Sequence, residues 1–157
     1  MRVVVVGAGF GGCGAAIALA KDGHSVTVLE AVENPGPVGA GIMLQPSGLT
    51  VLARFGLLDA VLRHGEPCAR LRCVTREGRT LFDLPYAVRD PGLYGLGIHR
   101  GALFRALFDA LEPNGVDVRL GVSAANVDDD TVIDANGERH GPFDLVVVAD
   151  GAPIRLR

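Results

Sequence analysis

Three glycines near the N-terminus have the spacing of a phosphate-binding turn. Gly7, Gly9 and Gly12 fit the pattern G-x-G-x-x-G and separate a run of valines from an alanine-rich segment. In such a turn the first glycine lets the chain leave a strand sharply, the second lets the backbone approach a pyrophosphate, and the third lets the following helix lie close to the strand. The positive end of that helix then faces the phosphate charge.

An acidic residue follows where the ribose of a nucleotide would lie. Glu30 stands 18 residues beyond Gly12 and follows a segment that alternates like a strand. A carboxylate at this position accepts hydrogen bonds from both hydroxyls of an adenosine ribose and repels a 2′-phosphate. Glycine spacing alone is weak evidence in a chain with 22 glycines, and a glycine-rich turn with a surface glutamate is the plainer interpretation. The full pattern favours an ADP-containing dinucleotide, either NAD or FAD.

The elements that position these residues follow from the hydrophobic pattern. Residues 2–6 are Arg2 and an unbroken run of four β-branched valines, which predicts a strand buried on both faces of a parallel sheet. Residues 11–21 are rich in alanine and leucine and predict a helix that ends at Asp22 and Gly23. Residues 25–29 alternate as a second strand. The fold class is therefore α/β, with a Rossmann-like βαβ unit on a parallel sheet.

The middle of the chain is less regular. Residues 31–45 are rich in glycine and proline, and we expect an ordered loop there without a regular element. Ser47 is the expected N-cap of a helix over 49–65 that breaks near Gly56. Beyond it, the apolar segments on either side of Gly78 predict a small antiparallel hairpin.

The second half continues the alternation of helices and strands. Residues 101–112 predict an amphipathic helix, and residues 116–120 predict a strand. The pair Asn136 and Gly137 predicts the two-residue turn of a further hairpin. Residues 144–149 then predict another buried strand. With 48% apolar residues in a chain of 157, a sizeable core is expected.

Composition excludes several classes of partner. The net charge is −3 and no run of lysines or arginines tracks a phosphate backbone, which argues against a nucleic-acid partner. No apolar run approaches the roughly 18 residues that span a bilayer, and the apolar start breaks into glycines too early for a signal peptide, so a cytoplasmic location is expected. Cys13, Cys68 and Cys73 lack C-x-x-C spacing, which argues against a metal site. Cys13 is expected to pack and not to react.

Four segments resemble the FAD-dependent aromatic hydroxylases, the single-component flavoprotein monooxygenases that include the salicylate and para-hydroxybenzoate hydroxylases. They are the glycine turn with Glu30, GAGIMLQPSGLTVLARFGLLD, IHRGALFRAL and VVVADG. The resemblance implies FAD as cofactor, NADH or NADPH as transient reductant and a small aromatic substrate. The cofactor-binding residues that pattern and resemblance together indicate are Gly7, Gly9, Gly12, Glu30, Gly41, Arg100, Asp150 and Gly151.

Some of these residues also have ordinary explanations. By resemblance Arg100 contacts the FAD pyrophosphate region, although an arginine opening a helix also fits a dipole-offsetting or solvent-exposed role. Asp150 fits a turn cap, but its place at the carboxyl end of a core strand favours ligand contact. The resemblance implies that the ligands are the flavin and the nicotinamide. His64 and His99 have no carboxylate or cysteine at useful spacing and are expected to be structural. No catalytic base is identified.

The resemblance also bears on domain organisation. In that family the Asp-Gly pair lies near the middle of the chain, so residues 1–157 are expected to be the FAD-binding domain of a longer flavoprotein. Residues 69–98 then belong to the sheet of an incomplete substrate domain, whose exposed edge would favour pairing into a homo-oligomer. The expected function is monooxygenation of an aromatic substrate. The alternatives are a stand-alone FAD-binding or NAD-binding module without turnover, or another FAD-dependent oxidoreductase.

Overall fold

The computed structural model describes residues 1–36, 39–88 and 90–151. In chain order its elements are β1 (Arg2–Val6), α1 (Phe10–Lys21), β2 (Ser25–Glu30), β3 (Gly41–Leu44), α2 (Pro46–Phe55), α3 (Leu58–Leu62), β4 (Gly65–Cys68), β5 (Arg70–Val74), β6 (Thr80–Pro85), β7 (Gly95–His99), α4 (Arg100–Phe108), β8 (Asp117–Leu120), β9 (Ala124–Asp128), β10 (Thr131–Asp134), β11 (Arg139–His140) and β12 (Leu145–Val148). Two compact units contain these elements. One comprises Met1–Gly36 with Phe104–Arg157, and the other comprises Pro37–Leu103.

The first unit is built on a parallel sheet with strand order β12-β1-β2-β8. β1 lies between β2 and β12, with Val3 opposite Val26 on one side and Leu145 on the other. Its valines Val3, Val4 and Val5 are fully buried. A continuous β-branched run suits this central position because a parallel strand is covered on both faces. The predicted βαβ unit and its parallel sheet are confirmed.

A small antiparallel sheet, in the order β11-β10-β9, belongs to the same unit. Val132 of β10 is fully buried and packs with Val4, Val6 and Leu29 of the parallel sheet. Gly137 has a φ of +83°, and its N–H donates to the carbonyl of Asp134 at 3.0 Å, so a turn is present at the predicted position. The turn is longer than the two residues expected, because residues 135–137 lie between Asp134 and Glu138, whose N–H and carbonyl form a hydrogen bond at 3.0 Å. This antiparallel sheet thus covers one face of the parallel sheet.

The second unit contains an antiparallel sheet in the order β3-β7-β4, part of which the sequence analysis placed in a loop. The expectation of no regular element over residues 31–45 is wrong, because β3 pairs with β7 from Gly41 opposite His99 to Leu44 opposite Leu96. The glycine content hid a strand that is stabilised by a distant partner. Ser47 is also not the N-cap, since α2 begins at Pro46, a residue favoured in the first helical turn.

Most side chains in the hairpin of β5 and β6 alternate between apolar and polar, although Val74 and Leu81 break the alternation. Directly opposed residues of antiparallel strands point to the same face, and one face consists of Leu71, Cys73, Phe82 and Leu84. The other face contains Arg70 and Asp83, which form a salt bridge with Nε to Oδ1 at 3.0 Å. Phe82 and Leu84 of the apolar face are 42% and 55% exposed.

The helices are short. α2 ends at Gly56, whose φ of +78° marks the expected break, and α3 follows. The predicted helix over 101–112 is shorter than expected, since α4 ends at Phe108 and a 3₁₀ turn covers Glu112–Asn114. Over the described ranges, no helix combines the length and the apolar character that a membrane span requires.

Candidate functional site

The glycine turn lies at the carboxyl end of β1 and is closed on two sides. The Gly7 N–H donates to the carbonyl of Leu29 at 2.8 Å, which ties the turn to β2. Gly7 has a φ of +97°, which favours glycine, and a β-carbon there would lie 2.6 Å from the carbonyl oxygen of Ala149. The sharp exit from β1 therefore requires glycine for its conformation and for its space.

The other two glycines of the motif divide the remaining roles. A β-carbon on Gly12 would lie 1.8 Å from the carbonyl oxygen of Gly7, so α1 lies directly against the turn only because Gly12 has no side chain. Gly9 precedes α1, and no described atom lies within 4 Å of the position its β-carbon would take. The sequence predicted this division, with one glycine for close packing and one for open approach.

Glu30 at the end of β2 reaches back to the same turn. Its Oε2 accepts a hydrogen bond from the Ala8 N–H at 2.6 Å, and its Oε1 accepts one from the Val32 N–H at 2.9 Å. Each carboxylate oxygen has a second lone pair, so both can still accept a hydroxyl proton. The sequence singled out Glu30 beside the turn, whereas the backbone contact of Ala8 has no side-chain signal.

Cys13 lies in α1 behind the turn and is fully buried. Its thiol donates to the carbonyl of Ala8 at 3.1 Å. Burial raises the pKa of the Cys13 thiol to about 12, and the negative charge of Glu30 adds to this shift. A thiol with a raised pKa is protonated at neutral pH. The complete burial of Cys13 confirms the expectation that it packs in the core.

Asp150 and Gly151 follow β12 at the same edge of the parallel sheet. The Ala149 N–H donates to the carbonyl of Val6 at 2.8 Å, which continues the pairing of β12 with β1. The Cα of Asp150 lies 3.0 Å from where a Gly7 β-carbon would be. Gly151 has a φ of +79°, which favours glycine. The structure thus brings the Asp-Gly pair to the glycine turn, with Ala149, which sequence analysis missed, as the small residue between them.

Gly41 and Arg100 lie in the second unit. Gly41 is the first residue of β3, and Arg100 is the first residue of α4, directly after β7. Gly41 is opposite His99, and the Arg100 N–H donates to the carbonyl of Ala40 at 3.0 Å. His99 accepts the Gly101 N–H on Nδ1 at 3.1 Å, so it caps the start of α4, a structural role as predicted. An open cavity of about 650 Å³ adjoins this sheet, and Gly41, Met43, His64, Glu66 and His99 contribute to its lining.

One group of ionisable side chains lies away from these residues. Asp134, Glu138 and His140 each bring one potential metal-ligand atom within 4.8 Å of the others. Asp134 already uses its Oδ1 to accept the Asn136 and Glu138 N–H groups, and its Oδ2 lies 3.3 Å from Nε2 of His140. These contacts close the turn between β10 and β11 and leave the carboxylate committed to the hairpin.

The turn and its neighbours match the chemical groups of a dinucleotide. The N-cap residue of α1 is Gly9, which has no side chain to cap the helix, and the open position at Gly9 lets a ligand approach that end of the helix. Backbone N–H groups and the helix dipole suit a pyrophosphate there. The Glu30 carboxylate beside the turn suits the hydroxyls of a ribose.

Proteins similar to this chain include FAD-dependent hydroxylases and monooxygenases, and solved structures similar to it include an oxygenase. The chain is 32% identical to a FAD-dependent urate hydroxylase of Klebsiella pneumoniae, with all of this chain and 42% of that protein aligned. It is 31% identical to the 2-heptyl-3-hydroxy-4(1H)-quinolone synthase of Pseudomonas aeruginosa, of which it covers 41%. A crystal structure of 2-methyl-3-hydroxypyridine-5-carboxylic acid oxygenase aligns with a TM-score of 0.86 at 30% identity, over 99% of this chain and 41% of that one.

These alignments have two consequences. They confirm the α/β fold class, and they show that the chain spans about two fifths of the length of the relatives it matches. The family model described as "FAD binding domain" matches residues 1–152, which include the glycine turn, Glu30, Arg100 and the Asp-Gly pair. The chain therefore belongs to the FAD-binding domain family.

Proposed function

We propose that this chain is the FAD-binding portion of an NAD(P)H-dependent flavoprotein monooxygenase that hydroxylates an aromatic or similar small organic substrate. The observation that carries the proposal is the arrangement of the glycine turn, Glu30 and Asp150 at one edge of the parallel sheet in a chain of the FAD-binding domain family. The names of the similar proteins support the substrate class, since urate and a hydroxypyridine carboxylic acid are both heteroaromatic.

Each proposed cofactor residue has a distinct role. The N-terminus of α1 and the open position at Gly9 receive the pyrophosphate, with Gly7 and Gly12 shaping the turn. Glu30 accepts the ribose hydroxyls. In the second unit, Arg100 supplies a positive charge for the pyrophosphate region.

The remaining proposed contacts lie toward the reactive part of the cofactor. Gly41, which lines the open cavity on β3 and β7, contacts the flavin. Asp150 and Gly151 contact the flavin and the nicotinamide of the reductant. The flavin itself supplies the oxygen chemistry, and the residues of this chain hold it and restrict water around it. No side chain of this chain is assigned as a catalytic base.

The hairpin points to a second domain. We propose that residues 69–98 belong to the sheet of a substrate domain, because the apolar face of β5 and β6 leaves Phe82 and Leu84 exposed. A hairpin with one apolar and one charged face is typical of a sheet that packs on a core. A cytoplasmic location is part of the same proposal, as is a homo-oligomer, which is supported by the tetrameric form of the similar hydroxypyridine carboxylic acid oxygenase.

A stand-alone module that binds FAD or NAD without turnover is the second candidate. It is favoured by one observation, namely that the residues proposed to contact the cofactor all lie within residues 1–152, which match a family model of a binding domain. The two candidates share a binding site and differ in whether a substrate domain completes it.

Visible absorption after gel filtration is the direct test. The purified chain, mixed with FAD and separated from excess ligand, should retain flavin absorption bands, whereas Gly12→Ala should lose them because its turn does not close. A colourless chain that retains NAD would contradict the flavin proposal. Oxidation of NADH and NADPH with phenols present then separates the candidates, and hydroxylated product is expected only with a substrate domain. Efficient hydroxylation by this chain alone would contradict the proposal that this chain binds the cofactor and that hydroxylation requires a substrate domain.

A further inference from the structure

Gly39 lies under the side chain of Arg100. A β-carbon on Gly39 would be 3.2 Å from Nη1 of Arg100, 3.3 Å from its Cδ and 3.7 Å from its Cζ. These three atoms run from the alkyl stem to the guanidinium group, so the side chain extends over the Gly39 backbone. Gly39 also has a φ of +95°, in the left-handed region that favours glycine.

The backbone around Arg100 is held in place independently of this contact. The Arg100 N–H donates to the carbonyl of Ala40, and the preceding residue, His99, is paired with Gly41 and caps α4 through Gly101. With the main chain fixed at both sides, the direction of the guanidinium group depends on the contacts of the side chain, and Gly39 is one of them. Gly39 is the glycine at which an added β-carbon would meet it.

We propose that Gly39 is a positioning residue that sets the location of the Arg100 guanidinium group for an anionic phosphate. This inference rests on the proposed function, in which Arg100 contacts the pyrophosphate region of FAD. Guanidinium-phosphate hydrogen bonds are directional, so a displacement of a few tenths of an ångström weakens them. A β-carbon at 3.2 Å from Nη1 requires a shift of that size.

Dissociation constants for FAD, measured by flavin fluorescence on a double-mutant cycle, test the proposal. The cycle uses the unaltered chain, Gly39→Ala, Arg100→Ala and the double variant. Gly78→Ala is the matched control, because Gly78 has a similar φ of +84° and no described atom within 4 Å of its β-carbon position. Circular dichroism melts establish that each variant is folded at the assay temperature.

We expect Arg100→Ala to raise the dissociation constant by about tenfold or more, the effect of one charge-assisted hydrogen bond. Gly39→Ala should raise it by about three- to tenfold, and in the Arg100→Ala background it should add no more than about twofold, because coupled sites are not additive. Equal effects of Gly39→Ala in both backgrounds, or an effect no larger than that of Gly78→Ala, would overturn the role of Gly39 alone.

Two other outcomes would contradict the assumptions on which the role of Gly39 rests. Unchanged affinity in Arg100→Ala would remove Arg100 from the phosphate contact and the role of Gly39 with it. Absence of FAD binding by the unaltered chain would refute the proposed function as well. In the chain without FAD, the Nε–Hε NMR signal of Arg100, assigned by its loss in Arg100→Ala, should shift in Gly39→Ala and not in Gly78→Ala. An unmoved signal in Gly39→Ala would contradict the contact itself.

Discussion

Replacing Glu30 with glutamine should weaken the glycine turn even before a ligand binds. Both oxygens of the Glu30 carboxylate accept backbone hydrogen bonds, from Ala8 at 2.6 Å and from Val32 at 2.9 Å. A glutamine of the same size has one oxygen and one NH₂ group, so it can accept only one of these two donors. The other backbone N–H then faces the NH₂ group of the glutamine, which donates hydrogen bonds and does not accept them.

The expected loss of unfolding free energy follows from the burial of the two backbone donors. Ala8 is 2% exposed whereas Val32 is 52% exposed, so the glutamine oxygen should turn toward Ala8 and leave the Val32 N–H to water. The change then exchanges one charge-assisted bond for a neutral one, with an expected loss of about 1 kcal/mol in unfolding free energy. Glu30→Ala leaves the buried Ala8 N–H without an acceptor and should lose about 2 kcal/mol.

Urea unfolding followed by circular dichroism measures both losses without FAD, and FAD titration measures the effect on the ribose contact. Affinity for FAD should fall by about 1–3 kcal/mol in Glu30→Ala through lost charge-assisted hydrogen bonds. Glu77→Gln, at an exposed position in the turn between β5 and β6, is the control and should leave both quantities unchanged. An unfolding free energy of Glu30→Gln equal to that of the native chain would refute the argument that this carboxylate organises the turn.

Three further predictions concern other parts of the chain. Gly12→Ala should lower the unfolding free energy by about 3 kcal/mol, because its β-carbon meets the Gly7 carbonyl at 1.8 Å, whereas Gly11→Ala, with open space, should not destabilise the chain in the same urea titration. The pKa of Asp134 is lowered on folding, since burial opposes its charge but hydrogen bonds from the Glu138 and Asn136 N–H groups and His140 outweigh it. Its stabilisation is therefore present above the unfolded pKa of 3.8 and lost as pH falls through the lower folded value, so Asp134→Asn should flatten the loss of urea stability below pH 4. Replacing Phe82 and Leu84 by threonine should reduce self-association in light scattering without lowering the melting temperature, and a lowered melting temperature would show that the apolar face is packed.

Local patterns predicted the elements whose partners are near in sequence or whose burial is complete. Three consecutive elements were predicted in this way, namely the valine run of β1, the alanine-rich α1 and the alternating β2. Each is present with bounds close to those expected. The hairpin around Gly78 was equally clear because its turn and both arms lie within 16 residues, from Arg70 to Pro85. Periodicity and turn chemistry act within such short windows.

Elements that depend on distant partners were not predictable in this way. β3 contains Gly41 and follows a glycine-rich segment, and it is a strand because β7 supplies hydrogen-bond partners more than fifty residues later. β4 reads GEPC and includes Pro67, a residue disfavoured in strands, yet it pairs with the same β7. Long-range pairing outweighs local propensity at both places.

The candidate site also contains residues that the local sequence predicts and contacts that it does not. Gly7, Gly9, Gly12 and Glu30 could be predicted together because the motif occupies one continuous βαβ unit. The contacts with the Ala8 N–H and the Ala149 carbonyl involve backbone atoms, which any residue type supplies, so no residue letter marks them. Gly39 could not be singled out among 22 glycines, because its distinguishing feature is a neighbour 61 positions away.

The central position of β1 has a consequence for the order of folding. β1 ends at Val6, but one of its two flanking strands, β12, begins only at Leu145 and is synthesised much later. Pairing over such a separation closes a long loop, and this kind of contact forms slowly. During synthesis the valines of β1 therefore stay unpaired on that side until β12 has emerged, a state prone to association. The Ala149 carbonyl also reaches Gly7 only when β12 has paired with β1, so the nucleotide turn is completed later than the local pairing of β1 with β2.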